Sequence, residues 1–307
     1  MNNKLYIIGN GFDLHHNLDT RYLSYQLFIS NQNNELDSFY EEYFNFRNEN
    51  DSEWTYFEED LGTFNHKAFF DNNNYIDTTY EGFKPSMLFA LEDDLVREAE
   101  RVEEMMRKSF FDWLNGIDIY SIEENKRIDL NPNSKYFSFN YTSVLESFYN
   151  IPNKNIMYIH GNLHNNVEDI IIGHQSFFDS TPELDEKGDS NRTIFTDSEH
   201  LAKIIFDNFF KPVEILIDIE KQYFEELKDI TEIIVLGHSL NDIDILYFKE
   251  ISKRTRPDAK WVVSYYEAEE LNTHKNKIIN IGIETSRISM IKITDLQLNS
   301  PKNNTIG

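Results

Sequence analysis

The chain has 307 residues, 40% hydrophobic and 14% aromatic, which supports a sizeable buried core and argues against disorder. Lys and Arg total 29 against 54 Asp and Glu, a formal charge of −25 that argues against nucleic acid and anionic membrane surfaces as partners. The absence of cysteine excludes structural disulfides, thiolate-ligated zinc and a cysteine nucleophile.

The first predicted element is a buried strand, "KLYIIG" (Lys4 to Gly9). Its apolar run, Leu5 to Ile8, is far too short for a signal peptide or a membrane span, so a cytoplasmic location is expected. It ends in "GNGFD" (Gly9 to Asp13), where glycines permit close approach of backbone to a phosphate. A dinucleotide fingerprint needs a third glycine at position 14, which is Leu14. It also needs a second strand ending in an acid, where "RYLSYQLFIS" reads as helix. The ordinary dehydrogenase pattern therefore fails, leaving a structural turn or a different phosphate contact. A mostly helical stretch follows. Its clearest helix runs from about Pro85 to Leu114, with Leu88, Leu91, Leu95, Ala99, Val102, Met106, Phe110 and Trp113 on one face.

Further strands are predicted at "KYFSF" (Lys135 to Phe139), "IMYIH" (Ile156 to His160), "DIIIG" (Asp169 to Gly173), "EIIVLG" (Glu232 to Gly237), "KWVVSYY" (Lys260 to Tyr266) and "ISMIKI" (Ile288 to Ile293). A helical region from about Ser198 to Lys228 should break at Pro212. "NDIDILYFKEISKR" reads as a helix capped by Asn241 or Asp242, with Leu246, Phe248 and Ile251 in the core. This order predicts an α/β fold: an open, mostly parallel sheet flanked by helices, with a helical insertion after the first strand. One domain over 1–297 is expected, with the insertion at about 20–130, polar loops at 71–83 and 179–193, and a flexible tail over 298–307.

Ligands of open parallel sheets bind beyond the carboxyl ends of the strands. Four predicted strands end there in polar or glycine-rich motifs. "GNGFD" is the first. In "FSFNYTSVLE", Asn140, Tyr141 and Thr142 follow the strand, and Thr142 or Ser143 would cap the next helix. In "YIHGNLH", His160 precedes Gly161 and could serve as a general base or be a hydrogen-bonded structural histidine. In "VLGHSLNDID", Gly237 and Ser239 could border a phosphate or ribose, or Ser239 or Asn241 could simply cap a helix. His164 and His174 lie nearby in sequence, so a metal pair stays open, although no H-E-x-x-H spacing is present.

Taken in order, "IIGNGFDLHHNLDTRY", Trp54–Phe57–Glu58–Leu61, "FSFNYTSVLE", "YIHG" and "GHSLNDID" resemble the AbiH family of bacterial proteins linked to abortive infection by phage. The resemblance spans about Leu5 to Tyr266. A more distant one is to the Rossmann-like NAD-binding fold of sirtuins. It implies that Gly9, Asn10, Gly11, Phe12 and Asp13 contact the cofactor phosphates, through backbone amides at Gly9 to Gly11. It further implies Asn140 on the nicotinamide ribose, His160 with Gly161 as the base, and Gly237 with Ser239 on the adenosine side. Tyr141 and Asp242 join this set. Trp54 and Glu58 are expected on one helical face as accessory residues. The lack of cysteine departs from the sirtuin zinc module and points away from protein deacylation.

The resemblance implies an anti-phage effector that hydrolyses NAD to nicotinamide and ADP-ribose, with Asn140 and His160 catalytic, NAD as substrate and no metal. A homo-oligomer or a partner protein of a defence system would keep it silent in healthy cells. The alternatives are a non-catalytic sensor of NAD or ADP-ribose, a metal-dependent hydrolase or nuclease using His160, His164 and His174, and a toxin or scaffold with purely structural glycines.

Overall fold

A computed structural model describes residues 3–49, 52–54, 56–178, 182 and 184–298. The strand β1 (Lys4–Ile8) shows why the fold is parallel. Leu5 and Ile7 enter one apolar core with Phe137, Val235, Phe248 and Trp261. Tyr6 and Ile8, on the other face, enter a second core with Phe12, Tyr136, Val144 and Leu145. A strand buried on both faces needs apolar residues at every position, which is the signature of a sheet covered by helices on both sides.

Five strands join it: β2 (Lys135–Ser138), β3 (Ile156–Tyr158), β4 (Glu232–Leu236), β5 (Lys260–Tyr265) and β6 (Ile288–Lys292). Their spatial order is β3-β2-β1-β4-β5-β6, and every neighbouring pair is parallel. Ile8 lies opposite Ser138 and Leu236, and Ser138 lies opposite Tyr158. The order reverses between β1 and β4, the place where doubly wound sheets open a ligand crevice. The expected open parallel sheet with flanking helices is present.

By its contacts the chain divides into two compact units. The first comprises the described residues of Met1–Arg21, Phe111–Ile170 and Pro212–Gly307 and carries the sheet. The second comprises those of Tyr22–Phe110 and Ile171–Lys211. Its core is aromatic: Tyr25, Tyr40, Phe46, Trp54, Phe57 and Phe110 meet ring to ring. The long helix Met87–Asn115 buries Leu91, Leu95, Ala99, Val102, Met106 and Phe110, as the spacing predicts. Among the described residues no helix is long and apolar enough to cross a membrane.

Three expectations change. "DIIIG" is not a strand: a 3-10 turn at Val167–Asp169 leads into irregular chain. Ile170 and Ile172 are buried at alternate positions, which imitates a strand period without a ladder beside it. At Gly173 a Cβ would stand 1.8 Å from the Phe209 carbonyl oxygen, so the segment is pinned by packing instead. The region from 198 to 228 forms four short helices, Thr196–Leu201, Ile204–Asn208, Val213–Ile219 and Lys221–Glu225, with Pro212 at the N-cap of the third. The helix after β4 is Ile245–Arg254, preceded by a 3-10 turn at Asp242–Asp244; Asn241 makes no side-chain cap there, and Leu246 is only half-buried. The expected tail beyond 298 and part of the loop 179–193 lie outside the described residues.

Candidate functional site at the carboxyl ends of the strands

The glycines of "GNGFD" bring the end of β1 against the end of β4. Gly9 N–H donates to the Leu236 carbonyl at 3.0 Å, and Gly11 N–H to the Gly237 carbonyl at 2.7 Å. A Cβ on Gly9 would stand 2.6 Å from His238 Cα, and one on Gly11 2.8 Å from the Gly237 oxygen. Gly237 adopts φ +64°, and a Cβ there would stand 2.0 Å from Phe12 N. Gly237 N–H itself donates to Ser264 Oγ. The Gly9 and Gly11 amides thus donate within the fold. The Asn10 side chain donates to the Thr20 carbonyl, and Phe12 is fully buried in the core.

The helix that starts at Asn10 carries Asp13 into the interior, 1% exposed. Thr142 Oγ1 donates to Asp13 Oδ2 at 2.6 Å. The hydroxyl meant to cap the next helix is therefore used here. Ser143 sits at the N-cap of Val144–Ser147 without a capping bond. The Asn140 amide also favours the ionised Asp13, although neither Asn140 Nδ2 nor Asp13 Oδ1 makes a hydrogen bond of ordinary geometry. Burial outweighs both partners and pushes the Asp13 carboxyl up to about 7.

Asn140 and His160 each lie two residues beyond the paired positions Ser138 and Tyr158, so they leave adjacent strands at the same level. Both are buried, at 7% and 2% exposure. Gly161 turns the chain at φ +79°, where a Cβ would stand 2.6 Å from the Asp169 oxygen. The Tyr141 ring lies 6.4 Å from the His160 imidazole between centroids, with 30° between the planes, and Tyr158 donates a short hydrogen bond to Glu146.

Two residues that sequence reasoning passed over complete this cluster. His238 Nε2 lies 3.4 Å from Asp244 Oδ2, and His160 Nε2 lies 3.9 Å from Asp244 Oδ1. Leu240 N–H donates to His238 Nδ1 at 2.8 Å. The Phe139 ring contacts both imidazoles. Leu240 is fully buried at φ +57°, a conformation that costs a non-glycine residue about 1–3 kcal/mol and tends to gather near functional sites. The same loop turns Ser239 and Asp242 outward. His238 stands beside a strand-end glycine in the sequence, as His160 does, but that neighbour does not say which way its ring points.

His164 and His174 have surroundings of their own. His164 borders an open groove of about 430 Å³ lined by Leu114 to Tyr120, Ser143 and Leu163. His174 lies in the second unit. Its Nδ1 accepts from Ser176 N–H and its Nε2 meets the Phe206 carbonyl, while burial lowers its pKa to about 4, the mark of a structural histidine. Among the described residues no three His, Asp or Glu side chains are grouped to hold a metal ion.

Trp54 and Glu58, also in the second unit, do not share a helical face. The helix is only Phe57–Asp60, and Trp54 precedes it at φ +66°. Trp54 stacks on Phe46 and Phe57. Glu58 accepts from Tyr22 Oη and pairs closely with the buried Lys211.

The chain matches the model of the family Bacteriophage abortive infection AbiH over residues 5–265, and it belongs to that family, which has a role in phage abortive infection. No curated protein and no solved structure matches it.

Proposed function

We propose that this AbiH-family chain hydrolyses the bond between nicotinamide and ribose in NAD, using Asn140 and His160. The observation that carries the reading is their emergence at one level from adjacent parallel strands, beside buried Asp13. The sheet order supports it, because dinucleotides bind such folds where the order reverses. Cleavage proceeds through an oxocarbenium-like transition state, so the site must orient the ribose and exclude bulk water. Asn140 holds a ribose hydroxyl or the attacking water through its amide. His160 takes the proton as water adds to the ribose carbon and nicotinamide leaves. Gly9, Gly11 and Gly237 shape the rim, and outward-facing Ser239 borders the adenosine side. Loss of NAD would stop phage replication together with the host. A homo-oligomer or partner protein holds the site silent until infection.

The test is incubation of purified chain with NAD and chromatographic separation of the products. Nicotinamide and ADP-ribose should appear in equal amounts, and Asn140→Ala or His160→Ala should abolish them. Turnover that survives both substitutions overturns the assignment.

A second reading, a sensor that binds NAD or ADP-ribose without turnover, draws on the depth at which Asn140 and His160 are buried. Calorimetry separates the two: tight binding with intact nucleotide supports the sensor.

A further inference from the structure

We propose that Asp244 and His238 are positioning residues for His160, an inference that rests on the reading of His160 as the base. Asp244 occupies the N-cap of a 10-residue helix, Ile245–Arg254. An Asp in that place ordinarily accepts from the first backbone amides of the helix. Here it makes no side-chain cap bond. Its carboxyl group is turned instead between two imidazoles, with one oxygen 3.4 Å from His238 Nε2 and the other 3.9 Å from His160 Nε2.

The tautomer of His238 follows from its hydrogen bonds. Leu240 N–H donates to Nδ1, so that nitrogen carries a lone pair and the proton of the neutral ring sits on Nε2, facing Asp244. His238 therefore anchors one carboxyl oxygen and leaves the other towards His160. Left-handed residues on both sides, Gly237 and Leu240, hold the His238 loop in this shape. Phe139, 4.3 Å from the His238 ring and 5.5 Å from the His160 ring between centroids, fixes the planes of both. A base oriented by a carboxyl group is the general logic of an activated imidazole, and the group that orients it need not touch substrate.

The experiment uses the full chain with its histidines labelled with nitrogen-15, as wild type, Asp244→Asn and His238→Gln. Both substitutions should move the His160 imidazole resonances in the absence of any nucleotide. Asp244→Asn should also lower kcat for NAD by about tenfold or more with KM within about twofold, as expected for a lost orientation effect. His160 resonances that stay in place in both folded variants overturn the proposal, as does an unchanged kcat. A wild-type chain that consumes no NAD while these resonances still move sinks the NAD reading and leaves the positioning of His160 standing.

Discussion

The burial of Asp13 makes the stability of the fold depend on pH. Its carboxyl ionises near 3.8 in an exposed chain and near 7 when folded, because burial outweighs the help of Thr142 and Asn140. Between those values the folded state holds a proton that the unfolded state has released, so stability falls as pH rises through that window. The gap is worth about 4 kcal/mol once pH exceeds 7. Asp13→Asn should therefore raise the melting temperature at pH 8 by several degrees and change it little below pH 4, measured by thermal unfolding at both. A carboxyl kept at such a cost, beside Asn140, is more easily explained by function than by stability. The positions of Asn140 and His160 at strand ends were readable in the sequence, because each closes an apolar run. His238 and Asp244 were not, because their direction depends on positive φ at Gly237 and Leu240, which no periodicity reveals.

At the level of elements, the glycines act as contacts between strands. Gly237→Ala should cost more than about 3 kcal/mol in denaturant unfolding, since it adds backbone strain to a clash with Phe12 N. In the second unit, the pair Lys211–Glu58 ties the short helix Phe57–Asp60 to the end of 171–211. Lys211 is 1% exposed, so Lys211→Met should destabilise by about 3–5 kcal/mol by stranding the Glu58 charge. Adding Glu58→Gln should recover much of that loss in the same unfolding assay. The sequence spacing of Trp54 and Glu58 suggested one helical face, but the helix starts too late to include Trp54. "DIIIG" misled for a related reason: alternate burial marks an interior but does not by itself supply a neighbouring strand.

For the whole molecule, the parallel sheet was readable from its alternation of apolar runs and helices. The strand order was not, because it depends on which runs pair across more than a hundred residues, as β1 does with β2 and β4. The joining of 171–211 to 22–110 is likewise a long-range contact that local patterns do not carry. The charge of −25 makes the fold repel itself, so added salt should raise the melting temperature as screening sets in. A flat response between low and moderate salt would show that the acidic groups are already compensated. The role in abortive infection and the proposed chemistry meet in one measurement, the NAD content of bacterial cultures carrying this chain before and after phage infection. NAD should fall on infection with the wild-type chain and hold steady with His160→Ala at equal protein level. Infection aborted with NAD unchanged, or an equal fall with His160→Ala, would contradict it.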